Sequence, residues 1–412
     1  MTRVVPLPGR RPPLWPDDLL SVDDLDSWTP LPFRQFVVKL HSRCNLACDY
    51  CYLYEMADSS WRGRPGVMDS KIVEATAQRV AEHVATHGLD RVHVVLHGGE
   101  PLLAGTRTIA HAAEALRERM PSGTELAMSV QTNGVLLDEA MLDVLAAHRI
   151  RVGVSLDGDA PANDRHRRFT DGRGSHDAVA RALVRLRGER YRGLYAGLLC
   201  TIDVRNDPVA VYEGLLEHAP PTVDFLLPHG NWTEPPPGWT DEPGAAPYAD
   251  WLAAVFDRWY DAPQRETSVR IFEDLMGLLI DPAHQSRSEQ VGLAPAVVVV
   301  VDTDGSIEQV DTLRSAFDGA AGTGFSVLTD PFDDVLRHPS LVARQLGLSA
   351  LAEPCQDCRF ARACGGGYYP HRFRADHGFR NPSVYCRDLM RLIEHIRSRV
   401  AADIARLPKA RT

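Results

Sequence analysis

The feature that most narrows the fold is a repeated alternation of short apolar runs with amphipathic stretches between Phe36 and Tyr260. The first run covers Phe36 to Leu40. A helix then opens at Asp69, carries Ile72, Val73, Val80 and Val84 on one face, and stops at Gly88. Further strands are predicted over 92–97, 125–131, 152–156, 195–202 and 223–227. Helices are predicted near 107–119, 138–148, 176–187, 208–218 and 248–260. Continuous apolar strands separated by helices call for buried parallel pairing through right-handed crossovers. Six such units predict an α/β fold, an incomplete (β/α)6 barrel over residues 35–290.

The remainder of the chain reads differently. Residues 1–34 are rich in proline and acidic side chains and are expected to form a surface arm. The proline-rich segment 231–247, with Trp232 and Trp239, reads as a lid or linker. After a helix near 272–280 the period changes, with a β-branched strand at 297–301, a turn at 302–305 and a return strand at 306–310. A smaller domain, 291–412, is therefore expected to begin with a hairpin and end in a helix over 387–407.

Formal charge is 45 − 55 = −10, which argues against a surface built for nucleic acid or anionic lipid. The longest apolar run, Ala294 to Val301, is far too short to span a bilayer. The first residues contain no apolar signal-peptide core, so a cytoplasmic protein without a membrane partner is expected.

The eight cysteines are grouped, and without an export signal such grouping suggests metal binding before disulfides. Cys44, Cys48 and Cys51 follow the first strand directly. A shuffled chain of this composition would show that spacing roughly 0.003 times. Three thiolates can hold three irons of a [4Fe–4S] cluster and leave the fourth iron open to a ligand. Zinc is the rival, although a structural zinc prefers four protein ligands. In the second group Cys355 and Cys358 precede Cys364 and Cys386, giving four thiolates. That closed shell suits either zinc or a second cluster. Cys200 stands alone in an apolar strand and reads as a core residue.

The string Cys44-Asn45-Leu46-Ala47-Cys48-Asp49-Tyr50-Cys51, on the loop after the first strand, resembles the radical SAM superfamily pattern. The resemblance implies that S-adenosylmethionine (SAM) chelates the open iron and is cleaved to methionine and a 5′-deoxyadenosyl radical. His97-Gly98-Gly99-Glu100-Pro101 follows the second strand, where Gly98 and Gly99 would admit a ligand and Glu100 would pair with its ammonium. By the same resemblance Asn133, Ser155 and Arg167 would hold the ribose and carboxylate of SAM, with Tyr50 and Leu199 beside the adenine.

Residues from about 290 to 390 resemble the SPASM extension of radical SAM peptide maturases, which carries auxiliary iron–sulfur clusters. That extension usually has seven cysteines. Here Val310 stands where one is expected, and Tyr368 follows Cys364 after three residues. The departure implies one auxiliary [4Fe–4S] cluster, held by Cys355, Cys358, Cys364 and Cys386. Asp311 follows the vacated position. It resembles the base of sulfatase-maturating relatives, with a solvated hairpin carboxylate as the alternative. His229 and Trp232 could line a peptide channel or simply pack a turn.

Within the maturases, the strings at 32–36, 52–56, 226–232 and 381–386 resemble the FxS-type enzymes that form three-residue cyclophanes. The resemblance implies a ribosomal precursor peptide as substrate and an electron donor such as a flavodoxin or ferredoxin. Thioether formation or formylglycine generation is the rival chemistry, and a non-catalytic iron–sulfur or zinc scaffold is the rival class. The roughly 35 residues before the barrel are too few for a fused winged-helix leader-binding domain.

Overall fold

The computed structural model describes residues 28–406, so most of the expected N-terminal arm lies outside the described residues. Ten strands make one sheet: β1 (Gln35–His41), β2 (Arg91–Gly98), β3 (Glu125–Thr132), β4 (Ile150–Ser155), β5 (Tyr195–Thr201), β6 (Thr222–Leu226), β7 (Ser268–Val269), β8 (Val298–Val301), β9 (Ser306–Glu308) and β10 (Gly322–Ser326). Their spatial order is β10-β9-β8-β1-β2-β3-β4-β5-β6-β7. Strands β8 and β1 to β7 are parallel, while β9 and β10 add antiparallel edges. The six long barrel strands fall where the apolar periodicity puts them.

Burial alternates along the barrel strands, as a pleated strand requires. In β2 the side chains of Val92, Val94 and Leu96 are fully buried, and His93, Val95 and His97 on the other face are half-buried. The fully buried face packs under the helices. Helix α1 (Ser70–His87) is typical: Asp69 caps it by accepting from Lys71 N at 2.8 Å, and Gly88 ends it in the left-handed conformation. Its Val73, Ala77, Val80 and Val84 are buried in the main core. The opposite strand face carries polar side chains, and the register aligns Lys39 with His97 and Ser155 with Leu199.

The hairpin after residue 297 does not stand apart. Val298 to Val301 pair in parallel register with Gln35 to Val38, so the barrel sheet runs on through β8. No periodicity in β8 could show this, because a strand's partner is not written in its own pattern. Several short elements also escaped the sequence reading, among them β7, β10 and the helices Ala160–His166 and Pro339–Gln345. The return strand is shorter than expected, ending at Glu308, because the chain turns into a 3-10 segment at Asp311–Ser315.

The 231–247 segment is fastened rather than free. Asn231 Nδ2 donates to Ser315 O at 3.0 Å, Trp232 N to Phe373 O at 2.9 Å, and Trp232 Nε1 to Pro382 O at 2.7 Å. It thereby ties the end of β6 to the C-terminal residues. Among the described residues no helix is long and apolar enough to cross a membrane.

Candidate active site

Cys44, Cys48 and Cys51 occupy the loop that leaves β1. Cys51 N donates to Cys48 O at 3.1 Å, and Glu55 N donates to Cys51 O at 2.9 Å, winding the second half of the loop tightly. Cys44 Sγ accepts from Leu46 N at 3.4 Å and from Asn133 Nδ2 at 3.6 Å. The loop lies against Gly98 and Gly99. A Cβ on Gly98 would overlap the His41 carbonyl oxygen, and one on Gly99 would overlap the Tyr54 hydroxyl and crowd the Arg43 carbonyl. What these glycines admit is therefore the backbone of the cysteine loop itself.

The donor chemistry fits a polynuclear iron site. Burial pushes the Cys48 thiol up to about 11 and the Cys51 thiol to about 12, so three neighbouring thiolates need a strong positive centre. A tetrahedral zinc with bonds of about 2.3 Å would draw its sulfurs to about 3.8 Å apart. Among the described residues neither cysteine group brings three sulfurs within 4.8 Å of one another. One other trio, His83, His87 and Asp333, does meet that spacing. There His83 Nε2 accepts from Phe33 N at 3.0 Å, which leaves Nδ1 to donate to Asp333 at 2.6 Å, so a proton occupies the place of an ion.

Around the triplet the strand ends supply a polar cradle. Glu100 is fully buried and bridges two loops, accepting from Leu102 N at 3.0 Å, Thr132 Oγ1 at 2.7 Å and Asn133 N at 2.8 Å. Asn133 Nδ2 also donates to Asn45 Oδ1 at 2.7 Å, which fastens the cysteine loop to the end of β3. Ser155 Oγ accepts from Gln131 Nε2 at 3.0 Å, and half-buried Leu199 is its register partner on β5. Arg167 lies beside Tyr50, Asp157 and Cys48, and its Nε lacks a hydrogen-bond partner. The Tyr50 hydroxyl is held between Arg167 Nη1 at 2.9 Å and Asp157 Oδ2 at 2.5 Å. Asp157 had no role in the sequence reading; only the fold brings it to Tyr50, 107 positions away.

Asp311 is not a solvated hairpin carboxylate. It is buried, with Lys39 Nζ 2.8 Å from Oδ1 and His97 Nδ1 3.7 Å from Oδ2. Lys39 also reaches Asp302 at 3.2 Å, while Arg314 joins Asp302 at 2.9 Å, Glu308 at 2.6 Å and Asp58. Burial alone would raise the Asp302 carboxyl, but Lys39, Arg314 and Arg64 together hold it at about 2. The same burial raises Glu308 against those cations. Lysine 39 was legible only as part of an apolar run.

Near Asp311 a group of rings packs together. Tyr52, next to Cys51, meets His229 at 4.8 Å between centroids, and His229 lies 6.2 Å from Tyr368 and 5.6 Å from His371. Tyr368 and Thr312 share a 2.5 Å hydrogen bond. Val310 packs in an apolar cluster with Leu313, Phe373 and Phe379. Residues at the two departures from the seven-cysteine pattern are thus built into packing and hydrogen bonding. Burial holds His229 at about 4 and lowers His371 well below the usual imidazole range, so both rings are neutral at pH 7. Trp232, by contrast, points its indole away to Pro382.

The four C-terminal cysteines come from Glu353–Gln356, the turn after it, Ala361–Cys364 and the start of the last helix, Cys386–Arg406. None of them is in a disulfide. Cys364 is pushed up to about 12 by burial, with Cys386 and Cys355 as its nearest thiols. Arg372 donates to the carbonyls of Gly365 and Gly367, at 2.6 Å each, and lies beside the same group. Cys200 is buried in β5 within the core, with no part in either group.

The radical SAM superfamily description matches residues 38–207, the span that holds β1 to β5 and the cysteine loop. The chain is 22% identical to the cysteine-type anaerobic sulfatase-maturating enzyme of Clostridium perfringens over 370 residues, 88% of this chain and 96% of that one. A solved structure of native anSMEcpe with bound AdoMet superposes with a TM-score of 0.76 at 22% identity, covering 90% of this chain and all of the other. Streptococcus suis SuiB bound to the precursor peptide SuiA superposes at 0.56 and 15% identity, covering 87% of this chain and 76% of that one. At these identities the structural likeness speaks for the fold. The sequence match makes residues 38–207 a radical SAM domain, and the chain that carries it an enzyme.

Proposed function

We propose that the chain is a radical SAM peptide maturase that cross-links a ribosomal precursor peptide, joining an aromatic ring carbon to the β-carbon of a nearby residue. The observation that carries this reading is a concentration of unsatisfied polar atoms beside the cysteine loop. His97 Nδ1, Asp311 Oδ2, His229 Nδ1 and both His371 nitrogens are buried without a hydrogen-bond partner. Buried polar atoms cost about 1–3 kcal/mol each when unpaired, so such a group suits a polar occupant. A peptide supplies N–H and C=O groups together, matching neutral imidazoles that each offer one donor and one acceptor.

In this reading Cys44, Cys48 and Cys51 hold the SAM-binding cluster, and Cys355, Cys358, Cys364 and Cys386 hold one auxiliary cluster. When bound, these groups and SAM supply a 5′-deoxyadenosyl radical and an acceptor for one electron. Glu100, Asn133, Ser155 and Arg167 orient SAM, with Tyr50 and Leu199 alongside. Tyr52, His229 and Tyr368 would hold the reacting carbons at contact distance against the entropy of a flexible peptide. Removal of the β-hydrogen and ring closure leave one proton and one electron to depart. Asp311 takes the proton on Oδ2, the oxygen that Lys39 leaves free. A flavodoxin or ferredoxin would supply the initiating electron.

Formylglycine generation is the second reading, favoured by the likeness to the Clostridium perfringens enzyme over nearly the whole chain. Co-expression with a precursor peptide carrying ring-deuterated phenylalanine separates the two. A cyclophane product is two hydrogens lighter per cross-link, and one of the two is a ring deuteron. Loss of both hydrogens from aliphatic carbon, sulfur or hydroxyl oxygen would reject the cyclophane.

A further inference from the structure

Asp157 closes the Ser155-Leu156-Asp157-Gly158 turn at the end of β4, and its carboxylate is only 4% exposed. Oδ1 accepts from Thr201 N at 2.9 Å, which fixes the carboxylate to β5. Oδ2 accepts the Tyr50 hydroxyl proton at 2.5 Å. A phenol has one proton to give, so this bond turns its lone pairs toward Arg167, whose Nη1 donates to them at 2.9 Å. The Arg167 backbone is pinned independently, its N donating to Asn163 O at 2.9 Å and its O accepting from Ser175 Oγ at 2.7 Å. Arg167 is only 8% exposed, lies beside Cys48 and is left with an unpartnered Nε. A planar guanidinium with Nε and an Nη free to one side is shaped to take a carboxylate through two parallel bonds.

We propose that Asp157 is a positioning residue that acts through the Tyr50 hydroxyl to aim Arg167 at the carboxylate of SAM. This rests on the reading that SAM binds at the Cys44, Cys48, Cys51 site. It adds that the aromatic residue before the third cysteine works through its hydroxyl as well as its ring, and that the turn after β4 controls SAM affinity from a residue that never touches it. An aspartate suits the role because a carboxylate can only accept; an asparagine could instead donate and turn the phenol around.

The test is equilibrium dialysis of the reconstituted, unreduced holoenzyme against radiolabelled SAM and against decarboxylated SAM, for wild type, Tyr50→Phe, Asp157→Asn and the double variant. Phenylalanine keeps the Tyr50 ring, and asparagine can still accept from Thr201 N, so iron content is expected to match wild type in each. Each single variant should bind SAM about tenfold more weakly, the size expected for a lost charge-assisted contact. The double variant should be no weaker than either single, because the two groups act in series. Affinity for decarboxylated SAM should stay within about twofold of wild type throughout. Unchanged SAM affinity in the singles, additive losses in the double, or an equal loss for decarboxylated SAM would overturn the relay. Failure of iron-replete wild type to bind SAM would instead overturn the cofactor reading on which it rests.

Discussion

The Lys39 ammonium lies 2.8 Å from Asp311 Oδ1, joining the first barrel strand to the segment that follows β9. Both side chains are almost fully buried, and with Asp302, Glu308, Arg314 and Asp58 they form one ionic network. A buried ion pair is poor evidence of added stability, because desolvation offsets most of the attraction. Its geometric consequence is clearer. Lys39 occupies one Asp311 oxygen and leaves the other facing His97, with Tyr52 nearby.

Replacing Asp311 by Asn keeps size and removes basicity. With a converted precursor peptide, cross-linked product per 5′-deoxyadenosine formed should fall at least about tenfold, since a positioned base typically contributes 10²–10⁴-fold. Liquid chromatography with mass detection measures both products in one sample. An unchanged ratio would leave Asp311 as a structural member of the ionic network.

Iron analysis tests the cluster assignment directly. Reconstituted protein should hold about eight irons, four for each cubane. Changing Cys44, Cys48 and Cys51 to Ala should leave about four and abolish SAM cleavage. Deoxyadenosine formation that survives this triple change would mean the radical arises elsewhere.

His338 gives the fold a measurable pH dependence. Burial holds its imidazole at about 4, while its Nδ1 caps Pro339–Gln345 by accepting from Ser340 N at 3.4 Å and also bonds Ser340 Oγ at 2.5 Å. The unfolded chain binds the proton near pH 6.5 and the folded chain does not, so stability is full above 6.5 and falls as the pH drops toward 4. Between pH 7.5 and 5 this one group should remove about 2 kcal/mol. Histidine 338 to Asn retains a capping side chain, and urea unfolding of that variant should lose about 2 kcal/mol of the wild-type difference between the two pH values. An identical pH difference in both proteins would assign the titration to other groups.

Much of the architecture was legible because it is written in local patterns. Strand runs from Phe36 to Leu227 and the helices between them follow from period and caps, including Asp69 and Gly88 around the first helix. The cysteine spacings were equally plain. What stayed hidden was pairwise. Nothing in Val298–Val301 states that it pairs with Gln35–Val38, and a lysine inside the run Phe36 to Leu40 gives no sign that three carboxylates will surround it.

The sequence by itself determined the parallel α/β framework, the two cysteine groups and the strand-end motifs around them, because each depends on residues close together in the chain. Only the tertiary structure decided which oxygen of Asp311 is left free, that Asp157 reaches Arg167 through Tyr50, and that His229 and His371 meet beside Tyr52. Those relationships join segments 100 or more residues apart. Their physical basis is the pairing of distant strands in one sheet and the seating of the C-terminal residues on it, which place side chains of unrelated segments within hydrogen-bonding range and remove the water that would otherwise satisfy them.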